Sequence, residues 1–224
     1  PGVRIGMGAD YQAAASTFWD QLDLNVFYCL NGSLMQAGLW RDSLAVANNR
    51  LFDLVSAVLM VSIYSFFVFS GTKEEMRKRI TLGVFLSIYM LVSTQIMSNT
   101  VFGFDRTSPT KTPNVSPAIR ISKFYEWELK DASKNSFPGD HASVLIIITG
   151  FICFYGRKKR YIIPALASAI IFALPRMFSG GHWCSDVVVG GCSTALIFLP
   201  IAFYTSFTDK CVTKLVLRLY SSDG

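Results

Sequence analysis

An all-α, polytopic membrane helix bundle is the fold class that this sequence predicts, on three observations. Charged residues fill only 16% of the 224 positions, against roughly 25% in a soluble globular domain. Apolar types account for 51%, with a mean hydropathy of +0.39. The charges that are present leave five long uncharged gaps, at residues 54–72, 80–104, 141–156, 161–175 and 187–208. A chain so short of water-facing residues has no soluble shell to cover five apolar segments. The composition also excludes disorder, a disulfide-stapled secreted module and a collagen-like repeat.

Taken in chain order, residues 1–50 come first, and they begin at Pro1. The orientation derived below puts them on the outer side with no helix to bring them there, so a further transmembrane helix ahead of the first gap is expected. Within this segment Leu24, Phe27, Leu30, Leu34 and Leu39 recur at three- to five-residue spacing. That pattern suits an amphipathic helix over 24–39 in the outer interface, and equally a piece of packed outer cap. A helix needs about 20 residues to cross the hydrocarbon layer, so the gaps 54–72, 80–104 and 187–208 span comfortably. The gaps 141–156 and 161–175 are short, and must start at headgroup level or borrow flanking residues. No repeat, low-complexity tract or linker interrupts the chain, so residues 1–224 form a single domain with a large outer loop over 105–140.

Orientation follows from the basic residues. If 54–72 runs inward, then 73–79, 157–160 and 209–224 are cytoplasmic and hold 11 of the 21 Lys and Arg residues in 27 positions. All five gaps agree on that orientation. The net charge of +6 is therefore mostly a topological signal, and not a nucleic-acid footprint.

The polar residues at the outer helix ends need a chemical reason. His141 and His182 are the only histidines, and both fall there. His141 closes Ser136-Phe137-Pro138-Gly139-Asp140-His141, a tight turn feeding a helix amino terminus. Backbone donors at Gly139 and Asp140 would form an anion site there, although an ordinary turn capped by Asp140 fits the same residues. Asp186 follows His182 by four residues, on the same helical face, where it can orient the imidazole. Arg176 precedes a two-glycine turn that brings its guanidinium near this pair. The 105–140 loop adds Arg106, Lys111, Arg120, Lys123, Lys130 and Lys134. Six basic residues on the side where they are otherwise sparse suggest lipid phosphate, with Arg106 in direct contact. Adhesion to anionic headgroups accounts for several of them. No CxxC, HxxxH or HExxH spacing occurs, so the sequence suggests no metal site. Cys29 and Cys184 lie on the outer side, where a disulfide and two free thiols are equally compatible with the sequence.

These residues resemble the type 2 phosphatidic acid phosphatase superfamily, integral membrane enzymes with three short signatures around a histidine nucleophile. The third signature, Arg, five residues, His, three residues, Asp, is met by Arg176, His182 and Asp186. The second, Pro-Ser-Gly-His, appears as Pro138-Gly139-Asp140-His141 and lacks the serine. The first, Lys, six residues, Arg-Pro, survives as Arg106, with Pro109 displaced and Asn99 in place of the lysine. Ser-Phe-Pro-Gly-Asp-His after Lys130-Asp131-Ala132-Ser133, the Arg106-Thr107-Ser108-Pro109-Thr110 run, and Asn48-Asn49-Arg50 with Asp53 resemble one branch, the lipid A 1-diphosphate synthases of Gram-negative bacteria.

The resemblance implies a six-helix enzyme of the inner membrane with its active site facing the periplasm. It would transfer the terminal phosphate of undecaprenyl diphosphate to the 1-phosphate of lipid A, with no cofactor and no metal. His182 would be the nucleophile, Asp186 its orienting partner and His141 the acid and base in turn. Arg106, Arg176, Lys130 and the Gly139 and Asp140 backbone would bind phosphate. Asn49, Arg50, Asp53 and Lys134 would serve a second lipid substrate or shape the outer cap. Two other readings stay open: a lipid phosphatase using water as acceptor, and a non-catalytic protein that binds anionic lipid.

Overall fold

A computed structural model describes residues 17–101 and 106–220 of the chain. Among these residues the fold is helical, with one isolated β-bridge between Asn49 and Leu129. Two short helices come first, α1 (Phe18–Gly32) and α2 (Leu39–Ala47). Four long ones follow: α3 (Arg50–Phe69), α4 (Lys73–Ile96, continued by a π turn Met97–Val101), α5 (Asp140–Phe151, continued by a π turn Ile152–Gly156) and α6 (Lys159–Phe178). A π turn at Asp186–Gly190 opens α7 (Gly191–Tyr204), and α8 (Phe207–Tyr220) closes the described chain. Residues 1–16 of the outer amino segment and 102–105 at the end of the second gap lie outside the described residues.

Each uncharged gap is the centre of a helix, and the differences lie at the ends. The first gap slides back four residues because Asn49 caps α3, its side chain accepting from the Leu51 N–H at 2.9 Å. The short fourth gap lengthens to 20 residues by taking in Lys159 and Arg160 at one end and Arg176 at the other. Among the described residues four helices are long and apolar enough to cross a membrane, while Asp140–Gly156 has 17 residues, or about 25 Å of helix against a hydrocarbon layer of about 30 Å. A central helix that starts late leaves a recess at that end of the bundle.

α5 is the axis of the packing. On one side Leu145 and Ile152 meet Met60, Ile63 and Phe67 of α3 and Tyr161, Ala165 and Phe172 of α6. On the other, Ile147 and Phe151 meet Leu82, Phe85 and Leu86 of α4 and Ala195 and Ala202 of α7. The outward faces stay apolar: Leu54, Val55, Val58 and Val61 on α3 and Ile163, Leu166, Ile170 and Ile171 on α6 are exposed. Such a surface is at rest only in lipid. The end carrying the basic connections is closed by Arg79, which donates to the Phe67 carbonyl at 2.7 Å, and by Tyr161, which donates to Ser70 Oγ at 2.6 Å.

The recess at the other end is roofed. The helix expected over 24–39 begins earlier and is broken: α1 stops at Gly32, a 3-10 turn covers Ser33–Met35, and α2 starts at Leu39. Leu24 and Phe27 pack on Val115 and Trp183, and Leu34 and Leu44 pack on Ile121. The apolar side of the segment is therefore a packed cap, while Phe18, Trp19, Leu39 and Trp40 stay exposed at the bundle end, as in an interfacial belt. The tail 209–224 was expected as a cytoplasmic connection, but most of it is the amphipathic α8, whose Cys211 and Val212 lie against the α4–α5–α7 core.

Candidate active site

His182 is held by a turn that α6 builds as it ends. The Arg176 carbonyl accepts from the N–H groups of Gly181 at 2.9 Å and His182 at 3.2 Å. The reversal between them needs Gly180 at φ +74°, where a Cβ would also come within 2.5 Å of Thr110. The His182 ring projects into the recess, its side chain 19% exposed. Its Nδ1 stands 2.8 Å from the Ser136 carbonyl oxygen. A carbonyl only accepts, so Nδ1 carries the proton and Nε2 presents its lone pair. Ser136 is fixed in turn by the Arg106 carbonyl, which accepts from its N–H at 2.7 Å and its hydroxyl at 3.0 Å.

Asp186 was expected to orient the imidazole directly. Its Oδ2 lies 3.8 Å from His182 Nδ1, too far for a hydrogen bond, and accepts instead from the Trp183 N–H at 2.8 Å. The helix starts just past the histidine, so Asp186 serves its first turn, and the Ser136 carbonyl is the group that fixes the ring.

Arg106 also differs from expectation. Its Nη1 donates to Asp186 Oδ1 at 2.7 Å and Ser185 Oγ at 2.6 Å, and its Nη2 donates to Asp23 Oδ2 at 2.6 Å. Burial works against its charge, but Asp186 and Asp23 hold the guanidinium above its ordinary pKa. Two carboxylates thus hold the terminal nitrogens, and Arg106 ties the cap to the His182 helix while its side chain stays 26% exposed. Asp23, 1% exposed on α1, also accepts from the Ser185 N–H at 2.8 Å and from its hydroxyl.

A second cluster surrounds His141. Arg176, 4% exposed, donates to Asp53 Oδ1 and, at 3.2 and 3.3 Å, to the backbone and side-chain oxygens of Asn48. Lys130 donates to Asp53 Oδ2, and its N–H donates to the Asn48 carbonyl at 3.0 Å. The fully buried Asn48 also donates to Leu44 and Pro175 and accepts from Ser179. His141 faces this group: Asp53, Arg176, Lys130 and His182 are all its electrostatic neighbours. The two-glycine turn therefore delivers Arg176 to the His141 side, where its carboxylate partner is Asp53 and not Asp186.

The turn before α5 joins the two clusters. Gly139 caps α5, and its N–H donates to the Asp186 carbonyl at 3.1 Å, so it is committed and not free for an anion. The N–H groups of Asp140, His141 and Ala142 precede the first intrahelical bond, from Ser143 N to the Gly139 carbonyl at 2.8 Å, and keep that capacity. Asp140 does not cap the helix; its side chain accepts from Ser98 Oγ at 2.8 Å. Gly190 admits this turn, since a Cβ there would stand 2.9 Å from Pro138 Cα.

The remaining polar candidates separate. Asn49 caps α3, Arg50 pairs with Glu128 at 2.8 Å on the surface, and Lys134 is exposed on the loop. All five cysteines are free, Cys29 and Cys184 among them. Sequence reasoning placed Asn48 and Ser136 in motif runs without giving them a role, and it missed Asp23 and Ser185; nothing beside Asp23 in the sequence marks it.

Beside the cluster, α3, α4 and α5 leave a largely apolar cavity of about 530 Å³ with Asp53 and His141 at one end and Val68, Phe69 and Ile80 at the other. It runs much of the length of the bundle.

The chain is 32% identical over 196 residues to the lipid A 1-diphosphate synthase of Escherichia coli (strain K12), a match covering 88% of this chain and 81% of that one. No solved structure matches the chain. The PAP2 superfamily matches residues 83–210, a stretch that contains both histidines, Arg106, Lys130, Arg176 and Asp186, while Asp23, Asn48 and Asp53 come from outside it. With the Arg-His-Asp signature on one turn and the second histidine on the adjoining helix start, the chain belongs to the PAP2 superfamily.

Proposed function

We propose that the protein is a lipid phosphotransferase that moves the terminal phosphate of undecaprenyl diphosphate onto the 1-phosphate of lipid A through a phosphohistidine. The observation that carries this reading is the His182 ring, pinned through Nδ1 by the Ser136 carbonyl, with Nε2 left as a nucleophile next to a cationic cluster. Membership of the superfamily supports phosphoryl chemistry on a lipid. The E. coli relative, named as a lipid A 1-diphosphate synthase, supports lipid A as the acceptor. The apolar cavity that starts at Asp53 and His141 supports a substrate with a long hydrocarbon chain.

In this scheme Nε2 of His182 attacks the terminal phosphorus, and the bond from that phosphorus to the bridging oxygen breaks. The lipid monophosphate leaves with the electron pair, and as a weak base it departs unprotonated against Arg176 and Lys130. The acceptor phosphate then attacks the phosphohistidine. His141 takes the acceptor's proton, and the N–P electron pair returns to His182. Asp186, 3.8 Å from Nδ1, stabilises the positive charge that the ring carries between the two steps. No step calls on a metal ion. The site would face the periplasm from the inner membrane, the side opposite the basic connections.

The test is to incubate purified protein in EDTA with undecaprenyl diphosphate labelled in its terminal phosphate, with and without lipid A, and to follow the label by thin-layer chromatography. Label on lipid A is the expected result. Release as inorganic phosphate regardless of lipid A would make the protein a phosphatase. No movement of label in either arm would leave an anionic-lipid-binding protein.

A further inference from the structure

We infer that Asp53 occupies the phosphate seat of the site and selects for ligands that carry a terminal phosphate, excluding phosphodiester headgroups. The inference rests on the reading above only in taking the Arg176–Lys130–His141 side as the place where phosphate binds.

Both carboxylate oxygens of Asp53 are engaged, Oδ1 by Arg176 and Oδ2 by Lys130. A carboxylate held by one guanidinium nitrogen and an ammonium has the charge sign and acceptor oxygens that a phosphate would present to the same donors. Among the described residues neither cation has a competing anionic partner: the other bonds of Arg176 go to Asn48 at 3.2 and 3.3 Å, and the carboxylate paired with Lys130 is Asp53. The seat is accessible, since the Asp53 side chain is 28% exposed and that of Lys130 45%. Asp53 also lines the end of the apolar cavity beside His141, where the head of a lipid held in that cavity would arrive.

A ligand phosphate that takes the positions facing Arg176 Nη2 and Lys130 Nζ must displace this carboxylate. A phosphodiester carries one negative charge, no more than the group it must replace, and gains nothing in the exchange. A terminal phosphate, as in a monoester or diphosphate, carries up to two charges and three free oxygens, and wins it. Membrane phospholipids are mostly phosphodiesters, so a bare cationic site open to the bilayer would fill with them. The built-in carboxylate keeps the seat closed to the abundant ligand and open to the rare one.

The experiment is titration calorimetry on the full chain in detergent with EDTA at pH 7.5, using inorganic phosphate and dimethyl phosphate as probes. The wild type is expected to prefer inorganic phosphate by about tenfold or more. Asp53→Asn, which keeps the shape and removes the charge, is expected to bind both probes more tightly and to cut the preference to about threefold or less. Asp53→Glu is expected to keep the wild-type preference. Equal affinity of the wild type for the two probes overturns the inference even if the Asn variant fails to fold. An Asn variant with unchanged preference, or with weaker phosphate binding, overturns it too. Because no turnover is measured, this result stands apart from the label-transfer assay. A protein that moves no label can still discriminate between the probes, and one that moves label can fail to.

Discussion

Removing the Asp23 side chain should loosen the His182 turn from a distance of 162 residues along the chain. Asp23 is 1% exposed, and it holds Arg106 at 2.6 Å and the Ser185 N–H at 2.8 Å. Asp23→Ala orphans the Ser185 donor, at about 1–3 kcal/mol, and takes one of two carboxylates from Arg106. Breaking a buried pair by deleting one partner costs about 3–5 kcal/mol. Arg106 keeps Asp186 at 2.7 Å and its side chain is 26% exposed, so the pair contribution falls below that range to about 1 kcal/mol, and with the orphaned donor the total is about 3 kcal/mol. At about 2–4 °C per kcal/mol for a domain of this length, the thermal midpoint in detergent should drop by about 6–12 °C. Asp23→Asn retains an acceptor for Ser185 and should lose less than half as much. Label transfer should fall in both variants through kcat more than KM, because Asp23 touches the turn that carries His182 and not the phosphate seat. An Ala variant with a midpoint within 2 °C of wild type and full kcat would refute the argument.

Three further outcomes are expected. His182→Ala should abolish label transfer while shifting the thermal midpoint by only a few degrees, since the side chain's hydrogen bond to Ser136 contributes about 1 kcal/mol; appreciable residual turnover removes the nucleophile assignment. Gly190→Ala would set a Cβ 2.9 Å from Pro138 Cα. The helix starts must part, costing about 1–3 kcal/mol and, at about 1 Å of misplacement, about a hundredfold in kcat, so wild-type kcat in this variant would sink the close-approach argument. Burial, with Asp23 and Asp186 nearby, pushes the Cys184 thiol above its ordinary pKa. It therefore stays protonated through neutral pH, and the stability that this proton confers fades only as the pH rises past the ordinary thiol value. Maleimide labelling read by mass spectrometry should find exposed Cys29 reacting faster at pH 7.5, with Cys184 catching up above about pH 9; faster labelling of Cys184 at pH 7.5 would contradict this.

The spans were legible because charge is costly in lipid, so gaps between charges mark helices almost by themselves. Their ends were less so, because a charged residue can join a helix once a partner meets it. Arg176 lies inside α6 by virtue of Asp53, 123 residues earlier in the chain. The basic tail was read as a connection because Lys210, Lys214 and Arg218 dominate its charge, and the apolar face that seats α8 on the core was passed over. Within the site, both histidines and Arg176 could be read from local spacing. Their partners could not: Lys130 meets Asp53 across 77 residues and Arg106 meets Asp23 across 83, and no periodicity in a sequence encodes such pairs. Arg106 shows the effect most clearly, since nothing near it in the sequence announces that Asp23 and Asp186 hold its guanidinium.

The pairing of charges around the histidines has a directional consequence. On the His182 flank two carboxylates, Asp23 and Asp186, share the single cation Arg106, a formal charge of minus one. Beside His141, the ion-paired cluster in which Arg176 and Lys130 share Asp53 has a formal charge of plus one. The recess is therefore polarised, with a standing electric field from the His141 wall toward the His182 wall. Electron density on the His182 ring is pushed toward the opposite wall, the direction in which its lone pair must move to form a bond to phosphorus. An anion arriving along the cavity is drawn to the His141 wall and repelled by the other, so it is turned to present its phosphorus to the nucleophile before any contact with it is made.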